Sequence, residues 1–317
     1  MITFGVELEL CVNLPIKKFV NLLQSQQINI TFSHSKTVSK NWTVMKDDSV
    51  LCSGKNRFGV SLKNIESTAT NHTLKAMYPI EIVSPVLITY KSLSNFLTKL
   101  HRLNAIYTIN QTQGFHIHLS NKYLQLPLIA NVSFGTQWVA AFCVNWVVFE
   151  KLILSRHHPN RLSTPHARSL MDNLKYNNKI KEFNNLDLCN NTITLNYLIS
   201  LFNPTRKNYG STKIYPKGKY HNINLSNGRN SVVNLTNLQL NKVNRKGTIE
   251  IRSHEGTVNK QKIMSFVRFM KKFFIASYNP ALNTFVDARV IVKEVTGYDF
   301  TKCDIHDLSK ALDYYIT

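Results

Sequence analysis

The stretch Thr248-Ile249-Glu250-Ile251-Arg252 constrains this chain more than any other. β-Branched residues at 248, 249 and 251 favour a pleated strand. The two-residue side-chain period then sends Glu250 and Arg252 to the same side, roughly 7 Å apart. The arrangement recurs as Glu7-Leu8-Glu9 and as His116-Ile117-His118, while Tyr78 to Pro85 reads as a strand with Glu81 opposite Ile80 and Ile82. Any one of these could be a solvated strand face. Together they predict a sheet with one apolar and one ionisable face.

Charges placed this way imply a chemistry. Two neighbouring carboxylates repel unless something positive lies between or above them, and a divalent cation is the usual solution. Histidines two apart on a strand reach a metal or a phosphate together. Oxygen ligands with an imidazole suit Mg²⁺ or Mn²⁺, and a neighbouring guanidinium suits a phosphate in transfer.

The rest of the chain reads as scaffold around these strands. Apolar residues at 4, 6, 8 and 10 alternate with Gly5, Glu7 and Glu9 in a strand from Ile2 to Val12. Helical periodicity covers 16–27, 89–104, 138–154, 260–278, 284–295 and 305–315, with a polar helical region from 164 to 202. Short strands are expected at 28–32, 42–45, 58–62, 105–109 and 220–225, and an irregular loop at 63–77. Lys46-Asp47-Asp48-Ser49 has turn chemistry, and residues 203–220 form a basic, Gly/Pro-containing connection that could close over an anionic substrate. No repeat or long linker divides the chain, so residues 1–317 are expected to form one domain, with the helices from 260 onward packed on the sheet.

Composition bounds the partners. The chain carries 39 Lys and Arg against 18 acidic residues, a net charge of +21, which favours anionic ligands. The basic residues are dispersed, so genome composition explains the charge equally well. Cys11, Cys52, Cys143, Cys189 and Cys303 are odd in number and lack CxxC spacing, which argues against a disulfide framework and a zinc ribbon and points to a reducing compartment. The N-terminus enters a strand holding two glutamates instead of a basic and then apolar leader, so a cytoplasmic protein is expected. Leu124 to Phe149 has no charged residue, but Pro127, Asn131, Ser133, Gly135, Gln137 and Asn145 interrupt it, so a buried core helix is expected and no membrane span.

At this point the motifs resemble a family. Gly5-Val6-Glu7-Leu8-Glu9, Asp47-Asp48-Ser49, Glu81-Ile82-Val83-Ser84-Pro85, Gly114-Phe115-His116-Ile117-His118, Arg161 and Thr248 to Arg252 with Gly256-Thr257 are similar, in order, to the motifs of the amidoligases. That family belongs to the glutamine synthetase and glutamate–cysteine ligase superfamily of carboxylate–amine ligases. The resemblance runs from residue 5 to about 260. It implies an α+β fold, a curved and mainly antiparallel sheet with helices packed on its outer face, like the glutamine synthetase catalytic domain. It also implies ATP and two or three Mg²⁺ or Mn²⁺ ions on the inner face.

Carried over by motif, Glu7, His116 and Glu250 would hold the ion that bridges the ATP phosphates, and Glu9 and Glu81 the ion nearer the acceptor carboxylate. His118 would approach the nucleotide, Arg252 would neutralise the transferring γ-phosphate, and Arg161 would join the catalytic set with Arg252 and Glu81. The implied reaction phosphorylates a glutamate-like or peptide carboxylate to an acyl phosphate, which an amine then attacks. The sequence departs from the superfamily in three places. Glu66 is the candidate for a further carboxylate, residues 226–245 lengthen the connection into the Glu250 strand, and His221 stands where an arginine is expected. Two other readings use the same residues differently: a two-metal phosphoesterase or nuclease acting on nucleic acid, and a non-catalytic basic binding protein. Neither the identity of the carboxylate and amine nor the oligomeric state is fixed by the residues.

Overall fold

β1 (Ile2–Val12) runs through the middle of the sheet and carries its alternation without a break: Phe4, Val6, Leu8 and Leu10 are buried on one face, with Gly5, Glu7 and Glu9 on the other. In the computed structural model, residues 1–34, 39–52, 64–67, 77–103, 107–110, 112–125, 132–157, 167–190, 192–204, 230–238 and 246–317 are described. β1 pairs antiparallel with β5 (Tyr78–Val83) along one edge. Its other edge pairs with β7 (Gly114–Asn121) and then with β6 (Tyr107–Asn110).

Outward from β5 lie β3 (Trp42–Lys46) and β2 (Ile30–Phe32). Outward from β7 lie β9 (Ile249–Glu255) and the two-residue β8 (Val233–Asn234). β4 (Asn64–Ser67) pairs with β6, off this path. The β2–β3 pair is parallel and the others are antiparallel, so the fold is α+β with an open, mixed, mostly antiparallel sheet.

The helices cover the apolar face. Phe96 on α2 (Tyr90–His101) stacks on Trp42 of β3 at 3.6 Å between ring centroids. α1 (Ile16–Ser25) starts just after Pro15 and buries Phe19, Val20 and Leu23. After the short α3 (Lys122–Gln125) comes α4 (Val132–Ser155). Its segment Phe134–Ser155 is long and apolar enough to cross a membrane, yet 83% of its most apolar window is buried inside the protein. Its Trp138, Phe142 and Phe149 rings pack on Phe273 and Phe274 of α8 (Lys260–Ala276) and on Tyr315 of α10 (Ile305–Ile316).

Three segments differ from the sequence expectation. Residues 284–295 do not form one helix: Thr284–Phe285 pairs back on Tyr278–Asn279, and α9 (Ala288–Thr296) begins only where the Asp287 side chain accepts a hydrogen bond from the Arg289 amide. The irregular loop expected at 63–77 contains β4. Cys11 and Cys52, 41 residues apart, are joined in a disulfide. Counting cysteines and spacings detects frameworks, not a single long-range pair. Here Leu51 is tied to Asn110 and Gln113, which sets Cys52 against the end of β1. The strands expected at 58–62 and 220–225 lie outside the described residues.

One buried carboxylate organises the far edge of the sheet. Glu150 of α4 accepts hydrogen bonds from Trp146 Nε1, Ser169 Oγ, Leu170 N and Met171 N, and so caps α5 (Leu170–Tyr176). Asn173 of α5 donates to Ser231 Oγ and to the carbonyl of Phe202, at the end of α7 (Leu195–Phe202). Asn203 donates to the Val233 carbonyl and accepts from Leu235 N, which fixes β8. The short α6 (Ile180–Asn184) lies between α5 and α7 in the chain.

Removing the Glu150 carboxylate leaves those donors buried without an acceptor, at about 1–3 kcal/mol for each group that finds no water. Glu150→Ala is expected to destabilise the protein by roughly 3–5 kcal/mol and Glu150→Gln by clearly less, read by urea denaturation. Equal stability of Glu150→Ala and the parent would refute the capping role.

Candidate active site

The ionisable face is assembled by strand register. Glu7 lies opposite His116, Gly5 opposite His118, Glu9 opposite Glu81, His118 opposite Glu250 and Glu250 opposite Asn234. Directly paired residues share a face, so five strands contribute to one patch. Glu7, Glu9, Glu81, His116, His118 and Glu250 are all buried.

The side chains are within reach of one another. His116 Nδ1 lies 3.3 Å from Glu7 Oε2 and 3.6 Å from Glu250 Oε1, and its Nε2 is 3.6 Å from Glu9 Oε1. His118 Nε2 lies 3.0 Å from Glu7 Oε1, and its Nδ1 is 3.1 Å from Thr248 Oγ1. Arg252 Nη1 donates to Glu250 Oε1 at 2.5 Å. Three donor groups have atoms mutually within 4.8 Å: Glu7 with Glu81 and His116, Glu7 with His118 and Glu250, and Glu9 with Glu81 and Asp47. Such sets are compatible with ions that take oxygen ligands and one imidazole.

Buried carboxylates are tolerated here because each meets a positive or hydrogen-bonding group. Burial alone would raise the pKa of Glu7, but His118, Lys246 and a hydrogen bond from His116 hold it well below the usual carboxylate range. Glu250 follows the same logic: burial opposes ionisation, and Arg252 and His118 outweigh it. The Arg252 guanidinium is desolvated too, yet Glu250, Glu9 and Glu7 raise its pKa and keep it charged. His116 goes the other way, because burial and then the Arg252 charge push it down to about 3. Its ring is therefore neutral at physiological pH, the form that ligates metal.

Several participants were given no site role by the sequence reading. Lys246 Nζ donates to Glu7 Oε1 at 3.0 Å. Asn234 and Asn237 donate to Glu250 Oε2 at 2.7 and 3.0 Å, so the Asn-rich segment 226–245 supplies the groups that orient a principal carboxylate. Asp47, read as turn chemistry, joins Glu9 and Glu81 while its Oδ1 accepts from Ser49 N and Oγ. Gly114 N donates to Glu9 Oε2 at 2.6 Å. Glu66 lies on β4, paired with β6 and not with the strands that build the site. Arg161, His221 and residues 205–220 lie outside the described residues.

An open cleft adjoins the cluster, lined by Gly5, Glu7, Thr43, Ser84, His118 and Lys246 among others. A Cβ at Gly5 would meet only Ser84 Oγ at 3.5 Å and His118 Cβ at 3.8 Å, so alanine there fits the fold while narrowing this cleft.

A family model described as "putative amidoligase enzyme" matches residues 1–274. Neither the curated proteins nor the solved structures contain a match to the chain.

The depressed His116 pKa has a measurable consequence in metal-free protein. The unfolded chain takes up a proton at this histidine below about pH 6.5, while the folded protein does so only near 3. Stability therefore falls with pH across that window, at up to ~1.4 kcal/mol per pH unit for one histidine. Glu7 and Glu250, whose folded pKa values are depressed, contribute stability above about pH 4.3 and lose it only below. Between pH 6.5 and 4.5 the slope thus belongs to His116 and to His254, which burial pushes down to about 4, with Glu150, raised by burial, opposing them. Urea unfolding in chelator should show His116→Asn flattening that slope, and an unchanged slope would contradict the assignment.

Proposed function

The chain belongs to the amidoligase family, and on that premise we propose that it is an ATP- and Mg²⁺-dependent carboxylate–amine ligase working through an acyl phosphate. The observation that carries this reading is the convergence of Glu7, Glu9, Glu81, His116, His118 and Glu250 beside Arg252 on one sheet face. The acceptor we favour is a glutamate-like or peptide carboxylate. Mn²⁺ is the alternative ion, as two or three per site.

The residues fit such ions. Lys246 and Arg252 face five carboxylates counting Asp47, so the cluster is left net negative when its carboxylates are ionised. Glu7, His116 and Glu250 would hold an ion on the ATP phosphates, and Glu9, Glu81 and Asp47 one nearer the acceptor carboxylate. The ions, when bound, would offset charge on the phosphoryl oxygens.

The proposed reaction has two steps. An acceptor carboxylate oxygen attacks the γ-phosphorus, and the bond to ADP breaks. The amine nitrogen then attacks the acyl carbon, inorganic phosphate departs and the nitrogen gives up a proton. Arg252, held against Glu250, is aimed to neutralise the phosphoryl group in transfer. His118, tied to Thr248 and Glu7, borders the cleft, where the nucleotide would lie. Asn234 and Asn237 keep Glu250 from rotating out of the site. Arg161 is assigned to the catalytic set by family resemblance.

Hydroxylamine intercepts acyl phosphates as hydroxamates. With ATP, Mg²⁺ and a panel of amino-acid and peptide carboxylates, the protein should form hydroxamate and release phosphate in equal amounts. Arg252→Ala and Glu250→Gln are each expected to lower turnover roughly 100- to 1000-fold. ATP-independent cleavage of nucleic acid abolished by Glu7→Gln, with no hydroxamate from any carboxylate, would replace the ligase with a phosphoesterase.

A further inference from the structure

The strand that supplies Glu250 and Arg252 also supplies two ionisable residues that the ligase reading does not use. Between β7 and β9 the register shifts: Ile117 lies opposite Ile251, but Phe115 lies opposite His254, so β9 uses one more residue than β7 over this step. An extra residue inverts the alternation beyond it. His254 therefore leaves the face of Glu250 and joins Phe115 on the helix-covered side. Its ring centroid is 5.8 Å from that of Phe115 and 4.7 Å from that of Phe266 on α8.

Two other groups arrive at the same place. His157 follows the end of α4, and its ring lies 5.1 Å from that of His254 and 5.3 Å from that of Phe266. Glu255 places Oε2 3.7 Å from Nδ1 of each histidine. All three residues are buried, and each offers a donor atom within 4.8 Å of the others'.

The unsatisfied nitrogen of His157 points to an absent partner, and the hydrogen bond of His254 fixes its tautomer. His254 Nδ1 lies 2.7 Å from the Glu255 carbonyl oxygen, which only accepts, so Nδ1 carries the proton and the lone pair is on Nε2. A backbone carbonyl that orients a histidine through its other nitrogen is the usual support of a metal ligand. His157 Nε2 is buried and has no hydrogen-bond partner among the described residues.

We propose that His157, His254 and Glu255 form a binding site for a zinc-class divalent ion, separate from the carboxylate-rich cluster around Glu7. Two imidazoles and one carboxylate match Zn²⁺ and Co²⁺, whereas Mg²⁺ prefers oxygen ligands and keeps its waters. Donors of a tetrahedral ion with bonds of about 2.0–2.2 Å lie roughly 3.4 Å apart, and the three residues here each offer a donor atom within 4.8 Å of the others'. The ion would tie the end of α4 to the C-terminal end of β9, in a pocket walled by Phe115 and Phe266.

The test uses the full chain, stripped with chelator and titrated with Zn²⁺ against a chromophoric competitor, with bound metal counted by elemental analysis. To separate the two sites, Glu7→Gln/His116→Ala is titrated beside His157→Ala/His254→Ala. The first variant should keep one tightly bound zinc, give the visible absorption of tetrahedral Co²⁺ when cobalt replaces it, and melt several degrees higher with the ion than without it. The second should lose that equivalent and that spectrum. Retention of the same zinc by folded His157→Ala/His254→Ala, or absence of tight zinc from Glu7→Gln/His116→Ala, would overturn the proposal. Should the histidine double variant fail to fold, X-ray absorption of the zinc-loaded Glu7→Gln/His116→Ala protein decides: two imidazoles in the zinc shell support the site, and none overturns it. None of these readings depends on ligase activity.

Discussion

The antiparallel register that sets Glu7 against His116 and Glu9 against Glu81 is the constraint on which the rest depends. Like charges directly opposite each other across a strand pair are destabilising, and burial increases the penalty. The sheet carries them because the register that juxtaposes the carboxylates also brings His116, His118, Lys246 and Arg252 among them. A slip of one residue would turn Phe4, Val6, Leu8 and Leu10 toward the cleft and bury the glutamates under the helices. The apolar face thus specifies the site's geometry without touching it.

Holding the site also requires material far from it in sequence. Glu250 sits near the edge of the sheet, where β8 contributes only two residues of pairing. Its second oxygen is fixed by Asn234 and Asn237, and β8 is fixed by Asn203, which follows α7. α7 is linked to α5 through Asn173, and α5 starts on the buried carboxylate of Glu150. Polar side chains that satisfy backbone groups therefore connect the core helix to a principal carboxylate of the site.

Much of this was legible in the sequence where periodicity and chemistry coincide. The alternation in residues 2–12 and 248–252 identified the strands, their faces and the side chains that meet on them, because side-chain direction follows directly from a period of two. Lys246, Asn234 and Asn237 were not legible, since their roles arise from how a connection returns to the sheet and no local pattern encodes that return. Asp47 looked like turn chemistry because it is turn chemistry, with Ser49 as its partner, and only the β3–β5 pairing brings it to Glu81. The Cys11–Cys52 disulfide escaped for the same reason: a single long-range pair has no spacing signature. The start of α9 was misplaced because Thr284 and Phe285 continue an apolar helical pattern that the Asp287 cap overrides.

The β9 irregularity explains why the Thr248–Asn259 stretch is denser in ionisable residues than one site requires. Before the shift, Glu250 and Arg252 face an oxygen-rich cluster suited to hard ions. After it, His254 faces an aromatic pocket with His157 and Glu255. An unbroken strand would have placed Glu250, Arg252 and His254 in one row on a single face. One inserted residue instead puts His254 on the helix-covered side, away from Glu250 and Arg252. Ion selectivity follows from donor chemistry and local dielectric, so with the metals proposed above a backbone irregularity that changes neither composition nor charge would let two adjacent residue groups favour different ions.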